Sequence, residues 1–380
     1  MFVLLKPTDN CNLNCEYCCV GDSRRNDFFK MSQSQAQLAI SGIFEYAAAN
    51  NWPEMTLCFH GGEPLLAGIE FFDKVLAFAQ SHAPKTCNVD FSIQSNLTLF
   101  NESYLSLFKE YSVQVSTSLD GPEAIHNKIR PYFGGQGSFQ KILWALDQLR
   151  ANGLKTGIIC TINRDNFGLE EEIFSFFKSI AHDFKANHVH EIGAAAVNNL
   201  GLSAQQIAHS MIGFFNLWYY DKNPKIRERN TFEIATNLFT HKPSTCVFQK
   251  NCQESIICIE PDGFVTPCDA MKYLFPDRAE TYYGNIYSQS FNEILNSDNR
   301  QKYLGRNTGI LTECKNCKYL KICNGGCMLD AISKYGHFTE RSPQCPGYKV
   351  VFAHIEEVLS KIQQPTLVAA LVPLNNHLQP

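Results

Sequence analysis

Long apolar runs are missing from this chain. No stretch of 18 or more apolar residues occurs in its 380 residues, so nothing is long enough to cross a bilayer as a helix. The opening MFVLLKP is too short for a secretory apolar segment, and no small-residue cleavage site follows it. Excess positive charge is missing too. The formal net charge is -4, which gives no electrostatic case for nucleic acid or an anionic membrane as partner. Internal repeats and low-complexity tracts are also absent. These absences lead to the expectation of a soluble cytoplasmic protein.

Cysteine is abundant instead, with 16 thiols. Disulfide frameworks belong to small secreted domains, and this chain is large and shows no export signal. Clustered thiols in a reducing compartment point to metal or cluster ligation.

The first 220 residues alternate short apolar runs with helical patterns, which implies a parallel sheet. Strands are expected at 2–5, 55–59, 89–93, 113–119, 156–162 and 188–192. Helices follow each, with Ser32/Gln35 and Ser203/Gln206 as capping boxes, Ser138 as a cap and Gly153 as a stop. Six βα units suit a partial (β/α)6 TIM-like barrel; a doubly wound open sheet is the alternative. CNLNCEYCC, HGGEP, QSN and SLDGP fall just after the first four strands, where both architectures build their sites. The expected division is a barrel over 1–221, a linker over 222–245, a cysteine-rich domain over 246–347, and a closing helix and tail over 348–380. CIEPDGFVTPC reads as a hairpin with Pro-Asp-Gly at its tip.

Cys11, Cys15 and Cys18 stand at a Cys-x3-Cys-x2-Cys spacing. A cubane iron–sulfur cluster has four irons, and ferredoxins give each a thiolate. Three local thiolates leave one iron open for a ligand. Cys19 is adjacent to Cys18, and consecutive side chains diverge, so it reads as a small buried neighbour.

With Tyr17 before the last cysteine and Gly61-Gly62-Glu63-Pro64 after the second strand, this constellation resembles the radical S-adenosylmethionine (SAM) superfamily. The resemblance implies that the open iron chelates SAM. Cleavage of SAM then yields a 5′-deoxyadenosyl radical that abstracts a substrate hydrogen. It assigns the Gly-Gly-Glu-Pro segment to the methionine amino group. By weaker matches, Gln94, Asn96, Ser118 and Asp120 line the SAM pocket and Arg130 pairs with its carboxylate. Ser95 and Leu97 depart from the family's usual Gln-Thr-Asn-Gly.

The second cysteine field resembles the SPASM domain, which implies two more [4Fe-4S] clusters. One takes Cys246, Cys252, Cys268 and Cys327, with Cys258 a competitor for the place of Cys246. The other takes Cys314, Cys317, Cys323 and Cys345. A zinc ribbon is the rival for a Cys-x2-Cys pair, and a multi-cluster electron carrier without substrate chemistry is another.

Nearly the whole chain is similar to anaerobic sulfatase-maturating enzymes, on the cysteine spacings and on segments such as SLDGPEAIHN and FFNLWYYD. That resemblance implies a polypeptide substrate, oxidation of a Cys or Ser Cβ to formylglycine, and Asp269 as proton acceptor. His60 departs from the group's usual Gln. The alternative is a peptide maturase that makes thioether or carbon–carbon cross-links on a precursor peptide. Many of those carry an additional N-terminal recognition domain, and the first cluster cysteine at residue 11 leads to the expectation that none is fused here. A flavodoxin or ferredoxin is the expected reductant.

Overall fold

The computed structural model describes residues 1–21, 30–221, 225–274, 281–306 and 313–361. Its framework is one nine-stranded sheet in the order β6-β5-β4-β3-β2-β1-β7-β8-β9. The strands are β1 (Phe2–Thr8), β2 (Glu54–Gly61), β3 (Asn88–Ser95), β4 (Gln114–Ser118), β5 (Thr156–Ile162), β6 (Lys185–His188), β7 (Ile256–Ile259), β8 (Phe264–Thr266) and β9 (Gly284–Asn285). β1 to β6 pair in sequence order and all in parallel. A doubly wound sheet reverses its strand order at a switch point. β1 to β6 never do, so each crossover among them runs the same way and these six strands form an open, partial barrel, with β7 joining at the β1 edge.

The expected elements hold, with three differences. β6 begins three residues before His188, because Phe184 and Ala186 point into the core and Glu228 Oε1 accepts the Ala186 amide at 2.8 Å. His190 is thereby left beyond the strand's carboxyl end. The segment expected as a linker contains a helix, Arg229–Thr240, capped by Glu228 and burying Phe232, Ile234 and Ala235. Its fifth residue, Glu233, accepts the Thr245 hydroxyl at 2.6 Å. Ser138 precedes its helix but does not cap it. The Asn127 side chain accepts the Phe139 amide at 3.0 Å instead, and the Ser138 hydroxyl donates to Arg130 O at 2.7 Å. Both capping boxes form, each worth about 1 kcal/mol.

The Pro261-Asp262-Gly263 hairpin also forms, with Gly263 at φ +85°. Its first strand, β7, pairs in parallel with β1 through Phe2↔Ile256 to Leu5↔Ile259. The cysteine-rich half is therefore continuous with the barrel sheet. The closing helix, Cys345–Ser360, buries Val351, Phe352 and Ile355, and His354 bonds Asn216 of the helix Ala204–Tyr219 at 2.8 Å. The expected tail from 362 onward lies outside the described residues.

Candidate active site

The first cysteine loop leaves the end of β1 and is clamped from several sides. Gly62 N donates to Thr8 O at 3.0 Å, and Glu63 N to Asn10 O at 2.7 Å. A Cβ on Gly62 would stand 2.2 Å from Asp9 O and 2.3 Å from Asn10 O, so only glycine allows this approach. On the other side Asn14 N donates to Pro131 O at 2.8 Å, and Ala194 N to Cys18 O at 2.9 Å. Loops after β1, β2, β4 and β6 thus meet around Cys11, Cys15 and Cys18.

These thiols neighbour one another. Burial, then Cys15, Glu63 and Cys18, push the Cys11 thiol well above its ordinary range. Nitrogen donors surround the sulfurs: Leu13 N at 3.4 Å and Asn96 Nδ2 at 3.8 Å from Cys11, and Arg130 Nη1 at 3.9 Å from Cys15. N–H groups aimed at sulfur favour thiolate and tune a bound cluster. Tyr17 lies under the Arg130 guanidinium, 5.0 Å from ring centroid to Cζ.

Glu63 is fully buried. Oε1 accepts from Leu65 N at 2.9 Å and Ser95 Oγ at 2.8 Å; Oε2 accepts from Asn96 N at 2.7 Å. A carboxylate offers about four acceptor positions, which leaves one, on Oε2. Glu63 therefore joins the loop after β2 to the loop after β3, while Pro64 starts a short 3-10 turn. Burial raises its pKa to about 7 despite those three bonds. Asn96 Oδ1 accepts from Thr98, and its Nδ2 reaches Asn12 Oδ1 at 2.9 Å. Leu97 adopts φ +58° with its side chain buried. The left-handed conformation costs about 1–2 kcal/mol for a residue with a Cβ, and burying a leucine offsets about that much.

Gln94 Nε2 donates to Ser118 Oγ at 3.2 Å. Asp120 accepts from Arg130 Nε at 2.6 Å, Tyr17 OH at 2.8 Å and Thr161 N at 2.8 Å. The sequence-assigned pocket residues thus converge at the carboxyl ends of β1 to β5.

The eight cysteines assigned to the second field fall into two further groups. Burial and then Cys246 push Cys252 up to about 12. After burial, Asp269, Cys327 and Cys246 act on Cys268, and Asp330, Cys246 and Cys252 on Cys327. Cys314, Cys317, Cys323 and Cys345 line one cavity, together with Arg341, Tyr348 and Lys349. Burial and then Cys345, Cys314 and Cys317 push Cys323 up to about 12. Cys258 keeps other company: it is buried, and its thiol lies 3.5 Å from Glu260 Oε1 beside Lys6 and Asp269. Thiol sets of three, four and four suit iron–sulfur clusters, one of them short of a protein ligand.

Asp269 follows Cys268 of the second group. Its Oδ1 accepts from the Cys268 thiol at 3.3 Å. Burial opposes its ionisation, but His60, Lys6, the Cys268 thiol and His190 outweigh burial and hold the carboxyl below its usual range. Burial also lowers the pKa of His60, whose Nδ1 accepts the Gly61 amide at 2.8 Å. Sequence reasoning missed Lys6, which reaches Asp269, and the charged residues networked with it: Glu260, Lys272 and Asp9. The available signal was a lysine interrupting the apolar strand FVLLKPT.

Among the described residues no helix is long and apolar enough to cross a membrane. Residues 5–177 match the model of the Radical SAM superfamily, and residues 246–318 match that of an iron–sulfur cluster-binding domain, SPASM. A cysteine-type anaerobic sulfatase-maturating enzyme of Clostridium novyi is 28% identical over 99% of both chains. A serine-type anaerobic sulfatase-maturating enzyme of Bacteroides thetaiotaomicron is 26% identical over 93% of this chain and 89% of that one. The solved structure of anSMEcpe with bound AdoMet matches with a TM-score of 0.84 at 25% identity, over 95% of this chain and 98% of that one. The thiol triplet with its donors, the glycine turn against the cysteine loop and the singly wound open barrel agree with these likenesses, and the chain belongs to the radical SAM superfamily with a SPASM iron–sulfur domain.

Proposed function

We propose that this chain is a SAM-dependent radical oxidoreductase that oxidises the Cβ of a Cys or Ser in a sulfatase polypeptide to formylglycine. The observation that carries this reading is the place of Asp269, a carboxylate that accepts from the thiol of Cys268 and is held below its usual range by His60 and Lys6 at the carboxyl-end side of the barrel. In this reading Cys11, Cys15 and Cys18 hold the SAM-binding cluster. Cys246, Cys252, Cys268 and Cys327 hold a second, and Cys314, Cys317, Cys323 and Cys345 a third. The organisation is a barrel over 1–221 and a cluster domain over 246–347, with a flavodoxin or ferredoxin as reductant.

Held by Cys11, Cys15 and Cys18, a cluster with SAM bound would supply the chemistry of hydrogen-atom abstraction from the substrate. The chain's own residues do the rest. Gly61 and Gly62 keep the ligand wall free of side chains, and Glu63 Oε2 retains one acceptor position for an ammonium. Arg130, oriented through Nε by Asp120, offers its Nη groups beside Cys15. Asp269 takes the proton that the substrate loses as it is oxidised, next to a cluster site that suits the departing electron.

The test is anaerobic turnover of cluster-loaded protein with SAM, a reductant and a sulfatase-derived peptide containing Cys or Ser. The expected product is an aldehyde captured by a hydrazide reagent, lost in Asp269→Asn while 5′-deoxyadenosine still forms. A cross-linked peptide without aldehyde would replace this reading with that of a peptide maturase. Unchanged product in Asp269→Asn would remove Asp269 from its role.

A further inference from the structure

Lys6 is 3% exposed at its side chain and Glu260 not at all. The Lys6 ammonium has three acceptors: Glu260 Oε1 at 3.1 Å, Glu260 Oε2 at 3.3 Å and the backbone carbonyl of Asp269 at 2.6 Å. Its three protons are therefore fully used. A second lysine closes the network. Lys272 Nζ pairs with Glu260 Oε2 at 2.5 Å and with Asp9. Tyr273 OH donates to Asp9 Oδ1 at 3.0 Å, and Thr266 Oγ1 to Glu260 Oε1 at 3.3 Å. Two cations and two carboxylates balance within the fold.

Burying four charges costs several kcal/mol per ion before pairing, and well-packed apolar residues are often at least as stabilising. What the network supplies is geometry. Lys6 lies on β1 and Asp9 directly after it, on the segment that runs into Cys11; Glu260 and Thr266 lie on the hairpin that runs into Cys268. Asp269 is tied at its own carbonyl, and Lys272, three residues on, is tied to Asp9. The peptide carrying Asp269 is thus fixed relative to the loop carrying the first thiol triplet, by side chains rather than by strand pairing.

We infer that Lys6 is a positioning residue for Asp269, setting where its carboxylate stands relative to the SAM site. The inference rests on the reading of Asp269 as proton acceptor. Lys6→Met keeps the stem but removes all three hydrogen bonds. In the cluster-loaded protein its iron content and substrate-independent 5′-deoxyadenosine formation stay near wild type. The number of 5′-deoxyadenosines formed per modified peptide rises about tenfold to a hundredfold, the scale of a displacement near 1 Å at a reacting group. Lys6→Arg, which still reaches a carbonyl and a carboxylate, recovers most of the coupling. Glu260→Gln, which weakens the anchor of Lys6, gives an intermediate ratio and serves if Lys6→Met does not fold.

A purely structural Lys6 would lower cleavage and product together and leave their ratio alone, and that result overturns the inference. Failure of both Lys6→Met and Glu260→Gln to fold with iron would overturn it too, making the network a folding element. Asp269→Asn run in parallel separates the two claims. If it makes product normally, the proton-acceptor reading falls; if it uncouples while Lys6→Met does not, only the role of Lys6 falls.

Discussion

Arg130 Nε lies 2.6 Å from Asp120 Oδ2, and both side chains are buried. The pair is held from every direction. His126 Nδ1 accepts the Asp120 amide at 3.2 Å, and its Nε2 pairs with Ser138 Oγ at 2.9 Å. Ser138 in turn donates to the Arg130 carbonyl at 2.7 Å. Burial pushes the pKa of His126 down to about 4, so this relay is uncharged near neutrality. A neutral scaffold thus aims one guanidinium at the edge of the cysteine loop.

Asp120→Asn leaves that guanidinium buried without its counter-charge. The expected stability loss is about 3–5 kcal/mol, read as a lower denaturation midpoint at unchanged iron content. A midpoint equal to wild type would mean that Arg130 finds another anion or reaches solvent.

Gly62→Ala places a methyl 2.2–2.3 Å from two backbone carbonyls, and neither is a flexible chain end. The cysteine loop or the Gly-Gly-Glu-Pro turn must move. SAM cleavage is expected to fall about a hundredfold or more, measured as 5′-deoxyadenosine per chain. Full activity would show that the two loops yield independently.

The Glu63 carboxyl titrates near 7 when folded against an ordinary value of 4.5. Because the folded value is the higher one, the contribution of this group is fully present below about pH 4.5 and is lost as pH rises through about 7. Relative to Glu63→Gln, wild type is expected to lose up to about 3 kcal/mol of stability across that window. SAM shrinks the loss if its ammonium takes the open position on Oε2. Parallel pH-dependent melts of the two proteins check both points; a constant difference would mean that Glu63 is solvated.

Cys246→Ser and Cys258→Ser discriminate the competing ligands of the second thiol group. Cys258 faces Lys6 and Glu260, whereas Cys246 acts on Cys252, Cys268 and Cys327. Loss of about one cluster's iron is expected for Cys246→Ser, with full iron for Cys258→Ser, by metal analysis and absorbance. The reverse pattern would exchange the two residues.

The first five strands, two capping boxes, the hairpin and the thiol spacings were legible because each is a local pattern in the chain. The direction of winding was not, since alternation of strand and helix is the same in both architectures and only strand order separates them. Leu97 shows another limit. Its departure from the family's usual glycine reads as a changed loop, yet the backbone keeps φ +58° and the leucine packs into the core. Lys6 and Glu260 are 254 positions apart, and each alone reads as an ordinary charged residue. Only β1–β7 pairing, which joins the two halves, brings them together.

The most direct measurement is SAM cleavage by anaerobically reconstituted protein given a reductant. Wild type should release 5′-deoxyadenosine, and a Cys11, Cys15 and Cys18 triple-alanine variant should release none while keeping the iron of the other two thiol groups. Release of no 5′-deoxyadenosine by the fully iron-loaded wild type, or equal release by the triple variant, would contradict the assignment of that loop as the SAM-binding centre.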